Sequence, residues 1–437
     1  MNIILLSGGS GKRLWPLSND VRSKQFIKIF KTGEGVYSSM VQRVYQQIRS
    51  VDKDAVITIA TAKSQVSSIC NQLGSQVNIC VEPLRKDTFP AIALACAYLH
   101  DVQGVPKEET VVVCPVDPFV ETGYFEALKH LDALAESGTA NLALMGIEPT
   151  YPSEKYGYIL PENQETISRV KTFKEKPDKD LARDYIRQGA LWNGGVFAFR
   201  LNYLLEKVHE QTGFADYAAL LKNYASLPKI SFDYAVAEKE ERISVMRFCG
   251  PWKDLGTWNT LTEVMTEQVV GKGILNETCK NVHILNELDV PVLCMGLNNV
   301  VVSASPEGIL VSDKEQSSYI KPFVDQFCQQ IRFAEKSWGS FRVMDAGETS
   351  LTIKVTLNPG HRMNYHSHER RDEVWTIILG EGRAIIDGVW QDVFPGCVIT
   401  VPAGCCHALL ARTELQAIEV QTGKDIRIDD KKKYPFP

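Results

Sequence analysis

An apolar run, Ile3-Ile4-Leu5-Leu6, that breaks directly into Ser7-Gly8-Gly9-Ser10-Gly11 constrains this chain more than any other feature. Four apolar residues in succession read as a buried strand. The glycines read as a tight turn in which bare backbone can approach a ligand. Amide N–H groups in such a turn point at anions, and Lys12, Arg13 and Lys24 add fixed positive charge close by in sequence. The string is not a Walker A loop, because no Ser or Thr follows a Gly-Lys pair at the required spacing. It is not the dinucleotide fingerprint, because Leu14 stands where the third glycine belongs. Taken alone, a plain turn with a solvated basic edge is as good a reading as an anion site.

The fold class is set by the segments beyond that turn. Strand-like runs at 55–60, 77–81, 110–114 and 142–147 alternate with helical patterns at 89–100 and 124–136. Such alternation predicts an α/β domain, a mostly parallel sheet with helices on both faces, whose ligands bind at the carboxyl ends of the strands. From Gly271 to about Asp325 the texture changes to short apolar runs (290–295, 299–303, 308–311) separated by Asn, Pro, Gly and Asp, a small β connector. From Trp338 onward short alternating strands and turns such as Asp387-Gly388 predict an all-β barrel or jelly roll. The expected domains are 1–270, 271–330 and 331–437. The basic run Lys431-Lys432-Lys433 reads as a solvated tail.

Composition excludes several classes. At 437 residues and 44% apolar content the chain can bury several cores, and a net charge of −5 with mixed signs argues against a dedicated nucleic-acid surface. No apolar stretch approaches the ~20 residues of a membrane span, and with a first strand expected from Asn2 no targeting segment is expected. Eleven cysteines, odd in number and without a Cys-x-x-Cys pair, are expected to be reduced and mostly buried thiols of a cytoplasmic protein.

Two carboxylates stand out. The buried strand Val111-Val112-Val113-Cys114 ends in Pro115-Val116-Asp117, and a carboxylate at a strand end facing phosphates suits Mg²⁺; the bland alternative is a helix cap. Asp254, in Trp252-Lys253-Asp254-Leu255-Gly256-Thr257-Trp258, reads by itself as a turn residue before glycine.

Together these strings resemble the signature of sugar-1-phosphate nucleotidyltransferases, specifically mannose-1-phosphate guanylyltransferases. The family's Gly-Gly-x-Gly-x-Arg-Leu-x-Pro-Leu-Ser and Pro-Lys-Gln-Phe match residues 8–18 and 23–26, with Ser23 replacing the proline. The resemblance implies a Rossmann-like nucleotidyltransferase, with Gly8, Gly9, Gly11, Arg13, Lys24 and Glu82 at the nucleotide and Asp117 with Asp254 at Mg²⁺. Pro118 stands where the family has His, and Lys86-Asp87 where it has Arg-Asn. Phe173-Lys174-Glu175-Lys176-Pro177, Trp192-Asn193-Gly194-Gly195 and Tyr156-Gly157-Tyr158-Ile159 resemble its sugar-site strings. There Glu175 and Asn193 meet sugar hydroxyls, Gly157 lines the site and Lys176 neutralises the sugar phosphate. The implied catalytic group is Arg13, Lys24, Asp117 and Asp254.

Four of the eight histidines fall between His361 and His407. Gly360, His366, His368, Glu373 and Gly380 fit the first cupin spacing, and Gly396, Pro402, Gly404 and His407 the second, with Ala411 in place of its final Asn. His366 and His368 alternate onto one strand face, and Glu373 and His407 can join them across a small barrel. Three imidazoles and a carboxylate suit a divalent transition metal such as Zn²⁺, Mn²⁺ or Fe²⁺; the bland alternative is a metal-free barrel. This part also resembles the type II mannose-6-phosphate isomerase module through Trp338-Gly339-Ser340, Arg371-x-Glu373-x-Trp375 and residues 418–423, with His366 where a Gln is common. In that family an Arg at the Arg371 position is implicated in isomerisation.

The implied substrates are GTP with mannose-1-phosphate, and mannose-6-phosphate or fructose-6-phosphate at the cupin, in a cytoplasmic homodimer without nucleic-acid or membrane partners. The rival reading is a guanylyltransferase for a heptose or glucose phosphate whose cupin is a non-catalytic dimerisation or sensing module.

Overall fold

The computed structural model describes residues 1–437 apart from 10, 11, 20, 215, 328–330, 425 and 427–429. Two compact units emerge: Met1–Ser10, Lys24–Val66 and Gln76–Thr266 form one, and Gly11–Ser23, Ser67–Ser75 and Glu267–Pro437 the other.

The first unit is built on nine strands: β1 (Asn2–Ser7), β2 (Val56–Ala62), β3 (Asn78–Glu82), β4 (Thr110–Pro115), β5 (Leu142–Ile147), β6 (Tyr158–Pro161), β7 (Ile167–Lys174), β8 (Leu191–Arg200) and β9 (Ile243–Phe248). Their order is β3-β2-β1-β4-β8-β5-β9-β7-β6. The first four are parallel neighbours, as the alternating pattern implies. Then β8 inserts antiparallel to both β4 and β5, and β7 antiparallel to β9, so the expected mostly parallel sheet is mixed in its second half. Strand direction depends on the connection, not on the hydropathy of the strand itself.

Helices flank the sheet on two sides. Thr88–Asp101 packs with Leu201–Thr212 and against β1, β2 and β3, while Met40–Val51 packs with Thr122–Glu136, which lies against β4, β5 and β8. Thr88–Asp101 starts where the Asp87 side chain accepts from the Thr88 N–H at 2.8 Å. It is apolar nearly all round, and Phe89 through Ala97 are all buried. The main core joins this helix to Ile4, Val111, Val113, Leu144, Phe197 and Phe199.

In the second unit, residues 269–313 stack in parallel coils. Val269–Val270, His283–Asn286 and Val300–Ser305 pair in parallel, as do Gly273–Leu275 and Val292–Cys294; Gly308–Asp313 then closes the sheet antiparallel. Val282, Ile284, Cys294 and Val302 fill the small core between them. Asn281 and Asn299 both adopt positive φ, near 52° and 56°, and Asn281 donates its amide to Asn299 at 2.8 Å. The same turn is therefore repeated one coil later.

From Phe333 onward the unit is an antiparallel double sheet, six strands against five. Val355, Trp375, Ile377 and Ile399 of one sheet pack with Ala384, Ile385, Val393 and Leu409 of the other. The expected turn is present: Asp387 and Gly388, both at positive φ, join Gly382–Ile386 to Val389–Val393. Lys431-Lys432-Lys433 is not a free tail, because Lys432 and Lys433 pair with Ser367 and His366 as a short edge strand. Two residues carry no periodicity that would announce a strand. All ten described cysteines are free, but only four are buried, five being partly exposed and one exposed. No described helix is long and apolar enough to cross a membrane.

Candidate active site and candidate metal centre

Asp117 follows the carboxyl end of β4, and the chain then forms a short strand, Pro118–Val120. Trp252–Asp254 pairs with it antiparallel, Asp254 opposite Pro118. That pairing brings together two carboxylates 137 residues apart. Lys24 sits between them, its Nζ 2.9 Å from Asp117 Oδ2 and 3.3 Å from Asp254 Oδ1. Burial alone would lower the Lys24 pKa; the two carboxylates overcome this and raise it. The Asp117 carboxyl is held below its usual range, the attraction of Lys24 outweighing desolvation. Two carboxylates converging on one cationic point, both partly open to solvent, are a donor set that fits Mg²⁺.

Beside this group opens a cleft lined by Tyr156, Gly157, Glu175, Asn193, Asp233 and the two aspartates. A bulge in β8 between Asn193 and Phe197, with Gly195 at positive φ, re-aims Asn193. Its amide nitrogen donates to Asp233 Oδ1 at 2.6 Å, and its oxygen accepts from the Gly195 N–H at 3.1 Å. Glu175 is buried: Oε1 accepts from Lys176 Nζ at 2.5 Å, while Oε2 is enclosed without a hydrogen-bond partner among the described residues. A Cβ on Gly157 would lie 2.5 Å from that Oε2, so only glycine leaves it in place. Burial, reinforced by Glu175, pushes the Asp233 carboxyl up to about 6. Tyr156 packs its ring on Trp192 and Trp252, closing one wall.

A polar network fixes the chain at the glycine turn. Gln25 donates to Ser7 Oγ at 3.1 Å, Thr61 donates to the Ser7 carbonyl at 3.0 Å, and Gln65 donates to the Gly9 carbonyl at 3.2 Å. Gly9 has φ near 108°, which excludes a side chain. Gly11 lies outside the described residues. Arg13 is exposed on the turn Lys12–Leu14, and Lys12 pairs with Asp325 at 2.9 Å. Glu82, at the end of β3, is buried and accepts from the Tyr224 hydroxyl at 2.8 Å.

In the double sheet, His366, His368 and His407 are buried, with ligand nitrogens all within 4.8 Å of one another. His366 and His407 lie opposite each other on paired strands. Each ring turns Nδ1 to a backbone carbonyl: His366 to Asn364 at 2.6 Å, His407 to Cys405 at 2.9 Å, and His368 to Asp430. With Nδ1 donating, each Nε2 is left as the acceptor nitrogen, the form in which an imidazole binds a metal. The His407 Nε2 has no hydrogen-bond partner among the described residues. Burial, with Lys431 next, pushes His366 down to about 2, and burial pushes His368 down to about 4. Three converging imidazole nitrogens fit a divalent transition metal.

Glu373 adjoins this trio. Its oxygens lie 3.2 Å from His368 Nε2 and 3.4 Å from His407 Nε2, and they already accept from Arg371 Nε at 2.9 Å and Trp375 Nε1 at 3.2 Å. Arg371 also directs Nη2 to His368 Nε2 at 2.8 Å. Behind them Glu419 is buried, bonded by Gln421, and pushed up to about 8 by burial and by Glu373.

Comparison with known proteins supplies the family. The nucleotidyl transferase family model matches residues 2–269, well over half of the chain. The chain belongs to the nucleotidyl transferase family. A cupin domain model matches residues 353–420 of this nucleotidyl transferase. It is 29% identical, over 98% of its length, to the mannose-1-phosphate guanylyltransferase RfbM of Salmonella typhimurium, 95% of which is covered. It is 30% identical over 98% of its length to the xanthan biosynthesis protein XanB of Xanthomonas campestris, 96% of which is covered. The crystal structure of a mannose-1-phosphate geranyltransferase from Thermus thermophilus superposes with a TM-score of 0.64 at 30% identity, over 74% of this chain and 98% of that one.

Within this nucleotidyl transferase, the fold gathers Lys24, Asp117, Asp254, Gly157, Glu175 and Asn193 in one unit, and the three histidines with Arg371 and Glu373 in the other. Lys176 is half exposed and spends its ammonium on Glu175. Sequence reasoning missed Asp233, Gln25 and Gln65. Ser231-x-Asp233 reads as an ordinary helix start, and Ser231 does cap that helix.

Proposed function

We propose that the chain transfers GMP from GTP to mannose-1-phosphate, giving GDP-mannose and pyrophosphate. The observation that carries this reading is the Lys24–Asp117–Asp254 group opening onto a cleft that ends at Glu175, Asn193 and Gly157. A phosphate oxygen of the sugar phosphate attacks the α-phosphorus in line; the new P–O bond forms as the bond to the bridging oxygen of pyrophosphate breaks. The attacking phosphate is already ionised, so no side-chain base is required. Glu175 and Asn193 orient the sugar by its hydroxyls, the buried Glu175 Oε2 being an acceptor in want of a donor. Lys24, held protonated, and Arg13 neutralise triphosphate charge, with Gly8 and Gly9 offering backbone to it and Glu82 at the nucleotide. Asp117 and Asp254 would hold Mg²⁺, which when bound neutralises phosphate charge.

We place the protein in the cytoplasm as a homodimer; free thiols throughout the described residues are in keeping with a reducing compartment. His366, His368 and His407, with Glu373 beside them, would hold one divalent transition metal at a module that interconverts mannose-6-phosphate and fructose-6-phosphate. A non-catalytic cupin is the second reading, favoured by Arg371, whose Nε and Nη2 are already given to Glu373 and His368.

The test is a matrix of nucleoside triphosphates against mannose-, glucose- and heptose-1-phosphate, read by pyrophosphate release with and without chelator. Preference for another nucleotide or sugar overturns the assignment. Metal analysis beside a fructose-6-phosphate isomerisation assay separates the two cupin readings.

A further inference from the structure

The segment just after the glycine turn is held in place from the far end of the chain. Arg22, only 6% exposed, makes a two-pronged ion pair with Glu287, Nη1 and Nη2 each 2.8 Å from a carboxylate oxygen. Its guanidinium also lies over the Phe333 ring, 5.0 Å from the centroid. Asn19, 3% exposed, donates to Glu307 Oε1 at 2.9 Å and to the Phe333 carbonyl at 3.1 Å. The Asn19 side-chain oxygen meanwhile accepts from the Val21 and Arg22 N–H groups, so it shapes the turn that it anchors. Glu307 Oε1 further accepts from the Arg332 and Phe333 N–H groups, both at 3.0 Å. Ser305 donates to the Pro16 carbonyl at 2.7 Å, and Trp15 packs on Phe327 with centroids 5.2 Å apart. Gly308 completes the seat: a Cβ there would stand 2.5 Å from the Trp15 ring.

These anchors of residues 15–22 all lie in the parallel coils, at the start of the double sheet or in the segment that joins them. Glu287 is 265 positions from Arg22 and Glu307 is 288 from Asn19. Both glutamates lie beyond residue 269, where the nucleotidyl transferase match ends.

We propose that Glu287 and Glu307 are positioning residues for the nucleotide. Through Arg22 and Asn19 they fix the segment that carries Arg13, and so set affinity for the triphosphate from outside the transferase fold. This rests on the proposed function, in which the segment carrying Arg13 meets the triphosphate. A bidentate carboxylate–guanidinium pair fixes both distance and angle, which a single hydrogen bond does not. When it is removed the segment samples more arrangements, and the apparent affinity falls by the fraction of molecules still competent. The sugar cleft draws its residues from the other unit and is not part of this brace.

The test uses the full chain and compares Glu287→Gln and Glu307→Gln with the parent in steady state, varying GTP and mannose-1-phosphate separately. The expected result is a rise of about two- to thirtyfold in KM for GTP, with KM for the sugar phosphate unchanged. Arg22→Gln combined with Glu287→Gln should be no worse than the poorer single variant, since both remove one interaction. An unchanged GTP KM in folded variants overturns the proposal, as does an equal rise in both KM values, which a general loss of structure would give. If Glu287→Gln fails to fold, Glu307→Gln and Asn19→Ala carry the same comparison. A parent enzyme that prefers another nucleotide overturns the guanylyl reading alone; the comparison is then made with that nucleotide, and its unchanged KM is what refutes the brace.

Discussion

Replacing Asp233 by Asn should stabilise the protein, and by an amount that depends on pH. The carboxyl ionises near 3.8 in a flexible chain and near 6 in the fold, because burial and Glu175 disfavour its charge. Between those values the fold binds a proton that the unfolded chain has lost, so stability falls as pH rises through that window and stays lower above it. A shift of about two units at about 1.4 kcal/mol each gives a ceiling of about 3 kcal/mol. Asp233 keeps partial solvent access, which brings the expected cost nearer to about 1–2 kcal/mol. Asparagine has the same shape, and its amide oxygen can still accept from Asn193, so the bond seen at 2.6 Å need not be lost. Thermal unfolding of both proteins at pH 5, 6, 7 and 8 reads the effect. The variant's advantage should grow from pH 5 to pH 7 and then level off, reaching a rise of about 2–8 °C in a unit of this size. An advantage that is absent, or that grows towards acid, refutes the reasoning. Confirmation would mean that the cleft holds a destabilising charge, which is common where a site serves binding rather than packing.

Three further outcomes are expected. Asp117→Asn and Asp254→Asn should each lower turnover by at least about a hundredfold at saturating Mg²⁺ while unfolding midpoints hold; near-normal turnover in both removes the site. Gly157→Ala pushes a methyl to 2.5 Å from Glu175 Oε2 and should raise the mannose-1-phosphate KM by about tenfold, with GTP KM unchanged; steady-state kinetics varying each substrate decide it. His407→Ala removes one of three converging nitrogens, so elemental analysis after metal loading and dialysis should fall from about one equivalent to little or none.

Much of this fold is legible along the chain because burial leaves a local mark. The β1, β4 and β5 runs are continuous apolar stretches. The reversal of β8 is not legible, since a strand buried on both faces reads the same in either direction. At the sites, the histidine spacing carries His366, His368 and His407 into one cluster, but spacing gives no distances. Glu373, expected as a fourth ligand, lies 3.2 Å from one of their ring nitrogens and 3.4 Å from another, with its oxygens also held by Arg371 and Trp375. Asp117 and Asp254 become a pair only through a two-strand ladder between distant segments. Asp233 and Gln65 act through partners far away in sequence and leave no signature of their own.

The parallel coils impose a constraint of a different kind. In a stack of this sort each layer touches only its neighbours, so a whole layer can in principle be gained or lost without repacking the others. Here the spacing from Asn281 to Asn299 marks one such layer, and Glu287 and Glu307 sit on successive ones. Insertion or deletion of a single layer would keep the stack sound yet slide one carboxylate out of reach of Arg22 or Asn19. The two carboxylates thus tie the number of layers to the reach of the N-terminal segment.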